Sequence, residues 1–447
     1  MKIFSYRYLP LNIYIGYSFF VLVSLFVGPM KYKDLDYLLL GSFIALLVFL
    51  FWLGYIVGAR GDYRQGSNHF EARSVSYQRI GRFLSMLLAL GVISSIGQWY
   101  SFLASGGELN LDGIGKSYVE GYEGYERGQA NIDASYIFNI FDQALAALIL
   151  LFSFYYFRVM GATARYAFLF VVATYLLINV VGTGKQKHLG DVVIFTFFCI
   201  IVNLATIGRK FKVWSLAAAA VVASFVFLMF VEILRQRYLA AGISLDNIYE
   251  KTHPLIIWDE ASLLSSLVGT DYALALGIFL GYFTNGLYGL YLSLTLPFEW
   301  TYFVGNSYSL GRIVEIAFSA DGSILEHTYP YRVGLTYGWG FDKWHSLFAW
   351  LASDISFFGV LFLTPLFSFL YARLWLQAIK ASNPFAGPLF IYLSLGLIFS
   401  YANNQIMHGL AGVIVLVVLL AGWILSRTLS RQYLLYRDDL NRHEEAR

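Results

Sequence analysis

The chain has 447 residues, of which 58% are hydrophobic and only 13% charged, with a mean hydropathy of +0.61. A water-soluble fold hides its apolar residues and covers itself with polar ones, so this balance excludes a soluble chain of one to three domains and leaves a polytopic membrane protein. A formal net charge of +3, with basic residues dispersed among loops, argues against a nucleic-acid partner, and the single Cys199 excludes an intrachain disulfide and a cysteine-based metal site.

The first element is basic and then apolar, as in a signal peptide, but its apolar run is long and no small-residue cleavage site follows, so it reads as a retained span. Runs of about 20 apolar residues predict crossings near 11–29, 37–58, 83–104, 134–157, 166–181, 189–208 and 213–231, then 346–372, 386–402 and 410–426. The expected class is therefore an all-α polytopic integral membrane protein of about 10–12 transmembrane helices. Four regions follow: seven spans over 1–231, a large extramembrane segment over 232–345, three spans over 346–426, and a basic tail over 427–447.

Lys and Arg concentrate in alternate loops. Arg60, Arg64, Arg73, Arg79 and Arg82, then Arg158 and Arg165, then Arg209, Lys210 and Lys212, then Arg373 and Lys380, then the tail, all fall on one side. With Lys2 and Arg7, that side holds 19 of the 31 Lys and Arg, which makes it cytoplasmic and puts both termini there. The stretch 271–296 is apolar enough to cross, yet one crossing would invert every basic loop after it. It must cross zero times or twice, and Thr284, Asn285 and Gly286 in its middle predict a re-entrant or in-plane pair of short helices. No internal repeat is visible, which weakens a transporter built from inverted halves.

The outer loop 105–133 is acidic, Gly-rich and Tyr-rich, a surface suited to carbohydrate, with a plain solvated loop as the alternative. Three acids fall inside the predicted spans, Asp142, Asp191 and Asp354, all toward the outer half. A carboxylate in hydrocarbon is costly without a partner or a wet cavity, so their shared depth predicts a chamber open to the outer face. Cations converge on the same face: Lys185 and Lys187 between two spans, Arg235 and Arg237 where the seventh emerges, and Arg312 and Arg332 in the long segment. Such cations either anchor helix ends by snorkelling or bind phosphate.

The long segment ends at His345 and Ser346, where a new span begins. A histidine near its ordinary pKa of about 6.5 is mostly neutral at neutral pH and can take a proton from a hydroxyl. His345 and Ser346, with Asp354 nine positions on and Gly359 fourteen on, resemble the element of O-antigen ligases and Wzy-type polymerases that opens on His-Asn or His-Ser. Ser356 stands where that element commonly has an earlier glycine. Gly182, Thr183, Gly184 and Lys185 are similar to the family's short Ser-Arg-Gly element, with Lys in place of Arg. Tyr282 through Gly286, followed by Leu296 through Trp300, resembles the middle of oligosaccharide repeat-unit polymerases. The resemblance spans roughly 180–425 and rests on the order of short motifs.

The family implies a GT-C-like membrane glycosyltransferase in a bacterial inner membrane, with its active site on the periplasmic face and an undecaprenyl-diphosphate-linked oligosaccharide as donor. It implies no metal, no other cofactor and no nucleotide sugar. Membrane lipids, a chain-length regulator and a flippase are the implied partners. On that reading His345 is the catalytic base, and Lys185, Lys187, Arg235, Arg237, Arg312 and Arg332 hold the diphosphate. Asp354, Asp142, Tyr282 and Asn285 bind or support sugar. A ligase acting on a lipid A core would share the donor and the histidine. A transporter of the lipid-linked sugar would instead keep short loops and an inner-half polar path, and a non-catalytic scaffold would tolerate loss of His345.

Overall fold

A computed structural model describes residues 6–60, 69–107, 109, 134–184, 186–207, 213–242, 253–318 and 322–426. The first membrane-length helices are α1 (Leu9–Val27) and α2 (Tyr37–Gly58), the second capped by Asp36, whose carboxylate accepts from the backbone N–H groups of Leu38 and Leu39. There follow α3 (His69–Ala104), α4 (Ala134–Tyr156), α5 (Ala162–Leu176), α6 (Lys187–Ile207) and α7 (Val213–Ala240). The long connection after α7 carries α8 (Leu263–Val268), α9 (Thr270–Leu294), α10 (Tyr308–Ala317) and α11 (Tyr329–Tyr337). The chain closes with α12 (Leu347–Lys380), α13 (Ala386–Phe399) and α14 (Leu410–Ser426). One small antiparallel ribbon pairs β1 (Met30–Tyr32) with β2 (Ile256–Trp258), Met30 facing Trp258 and Tyr32 facing Ile256.

Among the described residues eight helices are long and apolar enough to cross a membrane: α1 to α6, α9 and α12. The fold is thus all-α and multi-pass. At one end of the bundle, carrying Arg7, Arg60, Arg73, Arg79, Arg158, Arg165 and Lys380, side chains close the helix ends onto one another. Buried Arg73 bonds Asn203 and Thr206 and lies 4.4 Å over the Tyr155 ring, while Tyr55 donates to the Arg7 carbonyl and Ser76 to that of Ala381. The opposite end carries the ribbon and the residues between α7 and α12. Arg64, Arg209, Lys210, Lys212, Lys185, most of the loop 105–133 and the tail lie outside the described residues.

The expected pair of short helices over 271–296 is replaced by one continuous helix, α9. The residues expected to break it are contact points instead. Thr284 returns its hydroxyl to the Leu280 carbonyl, and the Tyr32 hydroxyl bonds both Thr284 and Asn285, each at 2.6 Å. Gly286 lies so close to the Tyr401 and Ala402 carbonyls that a Cβ there would overlap both. The course of α9 follows the α1–α2 connection: Gly277 packs on Pro29, Gly281 on Met30, and Tyr288 and Tyr291 donate to the carbonyls of Lys33 and Asp34. α9 also runs against α1, with Phe283 set edge-on to Tyr17 and Phe20 of that span. The apolar window of α9 is 67% buried, against 22–50% for the other seven, so protein shields it.

The expected single span from 346 is also broken. In α12, Ser356 has φ 60° and ψ 168°, a region essentially reserved for glycine, and this splits the helix into a short limb before it and a long limb after. The long limb packs on α2, with Gly54 against Pro365 and Gly58 against Phe369. The short limb carries Asp354 and hangs from Ser346, which caps it by accepting from the Ala349 N–H.

Candidate functional site

A short apolar helix sets the depth of the site. At 1.5 Å per residue, α13 (Ala386–Phe399) spans about 21 Å, less than a hydrocarbon core of about 30 Å, and α14 begins again only at Leu410. The connection between them, 400–409, is therefore recessed below the ribbon end. Non-helical backbone at that depth needs partners, and several elements supply them. Leu347 N–H donates to the Ser400 carbonyl, Ser309 N–H and the Ser307 hydroxyl donate to that of His408, and Asn404 Nδ2 donates to the Asn306 carbonyl at 2.5 Å. This connection is the floor of the site.

His345 stands beside it. The turn that carries it starts at Gly338, the left-handed C-cap of α11 with φ 76°, and ends at the N-cap Ser346, so both ends of the turn are fixed. The His345 ring is 1% exposed. Its Nε2 lies 3.0 Å from the Gly340 carbonyl, which only accepts, so the proton sits on Nε2 and Nδ1 is bare. Nδ1 is buried and has no hydrogen-bond partner. It faces Gly289 of α9, where a Cβ would stand 2.9 Å away. Burial pushes the His345 pKa down to about 4, only partly opposed by the Gly340 and Trp339 carbonyls, and the imidazole is neutral at physiological pH.

His408, on the floor, was not singled out in the sequence. Its ring is stacked on Tyr308 at 5.7 Å and set edge-on to Trp350 at 5.1 Å. Burial, and then the charge of Lys187, push its pKa down to about 4. Its Nδ1, the Trp350 Nε1 and the Asn306 Oδ1 are each buried without a hydrogen-bond partner, as is Nδ1 of His345. Unsatisfied buried polar atoms are few in native folds, and three of those here, on His408, Trp350 and Asn306, lie at this floor, while Nδ1 of His345 is turned to α9.

The other expected residues divide. Lys187, exposed at the start of α6, reaches His408 electrostatically, and Gln186 beside it accepts from Arg237 Nη1 at 3.3 Å. The α6 and α7 cations are thereby joined at the rim. Arg235 is clamped by Glu232 through two 2.8 Å bonds. Arg312 leans on Glu315 at 3.5 Å, and Arg332 pairs with Glu299 at 3.0 Å, so both are engaged by carboxylates away from the floor. Lys185 lies outside the described residues. Asp142 accepts from Ser94 and Gln98 within the α3–α4 packing, and Tyr282 packs its ring against Trp344 behind His345.

Asp354 is a structural carboxylate. It accepts from the Thr301 hydroxyl (2.5 Å), the Gly305 N–H (3.0 Å), and the Asn306 N–H (2.9 Å) and side chain (2.5 Å). Those bonds hold a loop in which Tyr302 and Phe303 both have positive φ, and they deliver Asn306 to the floor. Its link to His345 is indirect, through this loop and the short limb.

The floor missed in the sequence had one available signal: the apolar run of α13 is too short to reach the ribbon end, so polar Asn403, Asn404 and His408 after it had to be recessed. Among the described residues no three His, Cys, Asp or Glu side chains gather as a metal site would require. Comparison of the chain with protein-family models, with curated proteins and with solved structures gives no match.

Proposed function

We propose that this chain is a membrane glycosyltransferase that joins undecaprenyl-diphosphate-linked oligosaccharide repeat units into O-antigen or a related surface polysaccharide, at the periplasmic face of a bacterial inner membrane. The observation that carries this reading is the pair of buried imidazoles with unpaired nitrogens, His408 on the floor within the field of Lys187 and His345 beside it under α9, at the end opposite the arginine-rich one. The motif resemblance around His345 and Asp354 supports the same reading.

A sugar hydroxyl becomes a good nucleophile as a base takes its proton. In His345 the Gly340 carbonyl fixes the tautomer and leaves Nδ1 as that base. The acceptor oxygen attacks the anomeric carbon, the bond from that carbon to the phosphate oxygen breaks, and the diphosphate leaves with the electron pair while Nδ1 holds the proton. Lys187 and Arg237 at the rim, with Arg235 and Lys185 nearby in sequence, stabilise the charge that grows on the leaving diphosphate. Gly289 of α9 stands over Nδ1, and its lack of a side chain leaves that nitrogen the space it has.

The test is direct. Purified protein is incubated with lipid-linked repeat units, and the products are separated on a gel. A ladder that disappears in His345→Gln at normal expression is expected, and no ladder from the unaltered protein would overturn the reading. Product formed only with a lipid A core acceptor would make the chain a ligase instead.

A further inference from the structure

The helix α10 is inside out for a helix in water. Its buried face carries Gly311 and Glu315, with Glu315 1% exposed and accepting from the N–H groups of Ile324 (3.0 Å) and Leu325 (2.7 Å). Its outward face carries Ile313 at 39%, Ile316 at 47% and, just past its end, Phe318 at 77% exposure. A surface helix in water hides its apolar face and shows its charges. Here the acid is inside and the hydrocarbon outside.

The loop before it repeats the pattern. Phe298, Trp300, Tyr302 and Phe303 are 44–64% exposed in one short stretch. Two of them, Tyr302 and Phe303, are held at φ 56° and 64°, in the left-handed region that side chains avoid, and the four bonds to Asp354 keep them there. Strain of this kind persists only where surrounding structure enforces it. Its effect is to push aromatic rings outward.

What lies outside follows from the neighbouring helix. Just beyond the Ser356 break, α12 exposes Phe358 at 85% and Phe362 at 73%, an apolar face on a membrane-length helix. Asp354, which anchors the aromatic loop, lies four residues before Phe358, across the Ser356 break. The aromatic loop and α10 continue the lipid-facing surface of α12 to the level where a bilayer ends, and aromatic rings favour that level. Arg312 on α10, paired with Glu315, supplies the long basic side chain that interfacial helices carry toward headgroups.

We propose that residues 298–318 are embedded in the membrane at the boundary between headgroups and acyl chains, with α10 lying in the bilayer plane. The partner is the lipid surface itself. Because Tyr308, at the middle of this segment, stacks on His408, the embedded segment touches the recessed floor and brings the lipid surface beside it. The proposal is independent of the reaction assigned above.

The test uses the full chain with Cys199→Ser, reconstituted in phosphatidylcholine–phosphatidylglycerol vesicles, with a nitroxide on Phe303→Cys, Ile313→Cys or Ile316→Cys in turn. Asp342→Cys, in the exposed turn before His345, is the aqueous control. Collisions with oxygen, which concentrates in hydrocarbon, are expected to exceed those with a water-soluble nickel chelate at 303, 313 and 316, and to fall below them at 342. Chelate collisions in excess at 313 and 316 would overturn the proposal. So would labels shielded from both reagents, which would mean a protein partner. Three separate label positions keep the answer available where one variant folds poorly.

Discussion

At the scale of single residues, the buried imidazoles set the pH behaviour. A histidine whose folded pKa is near 4 and whose unfolded pKa is about 6.5 contributes stability that is complete above the unfolded value and is lost as pH falls toward the folded one. The melting temperature is therefore expected to drop between pH 7 and pH 4, and to drop less in His345→Gln, whose amide can still donate to the Gly340 carbonyl. An equally steep acid loss in that variant would remove His345 from the account. Gly289→Ala puts a Cβ 2.9 Å from His345 Nδ1 and 2.8 Å from the Trp344 carbonyl. Overpacking of this kind costs about 1–3 kcal/mol, and product formation is expected to fall with it. His345 and Asp354 were legible in the sequence because polar residues stand out beside apolar runs. His408 and Asn306 were not, because their meaning lies in contacts made across about a hundred residues of chain.

Elements carry a second lesson, about glycine. Ser356 occupies a glycine-only backbone region at the break in α12. Relief of that strain in Ser356→Gly is expected to raise stability by about 1 kcal/mol, read as a higher melting temperature; a lower one would mean that the break is not strained. Gly286 behaves in the opposite sense. Its missing Cβ admits the Tyr401 and Ala402 carbonyls, so Gly286→Val should cost about 3 kcal/mol or more and lower the yield of folded protein. The short-helix pair expected over 271–296 came from treating Thr284, Asn285 and Gly286 as breakers. A lone glycine in a helix costs only about 1 kcal/mol, and here the backbone approach it allows, with the Tyr32 bonds to its neighbours, keeps α9 whole.

For the whole molecule, the helical, multi-pass architecture was readable from apolar run lengths, which report directly on bilayer thickness. The depth of 400–409 and the lie of α9 were not, since both are set by packing between distant segments. If α9 lies across the ends of α1 and α2, no crossing intervenes between α7 and α12, and the arginine-rich loops stay on one side. A membrane-impermeant thiol reagent applied to sealed, right-side-out membrane vesicles is then expected to label Asp342→Cys and to leave a cysteine in the tail unlabelled. The reverse pattern would place the site on the cytoplasmic side.

The central claim is that glycosyl transfer proceeds with release of the lipid diphosphate, and its most direct measurement is stoichiometric. Purified protein supplied with radiolabelled lipid-linked repeat units should release one undecaprenyl diphosphate for each repeat joined, with the rate falling at least tenfold in Lys187→Ala combined with Arg237→Ala. Chain growth without lipid diphosphate release, or no growth at all from the unaltered protein, would contradict the account.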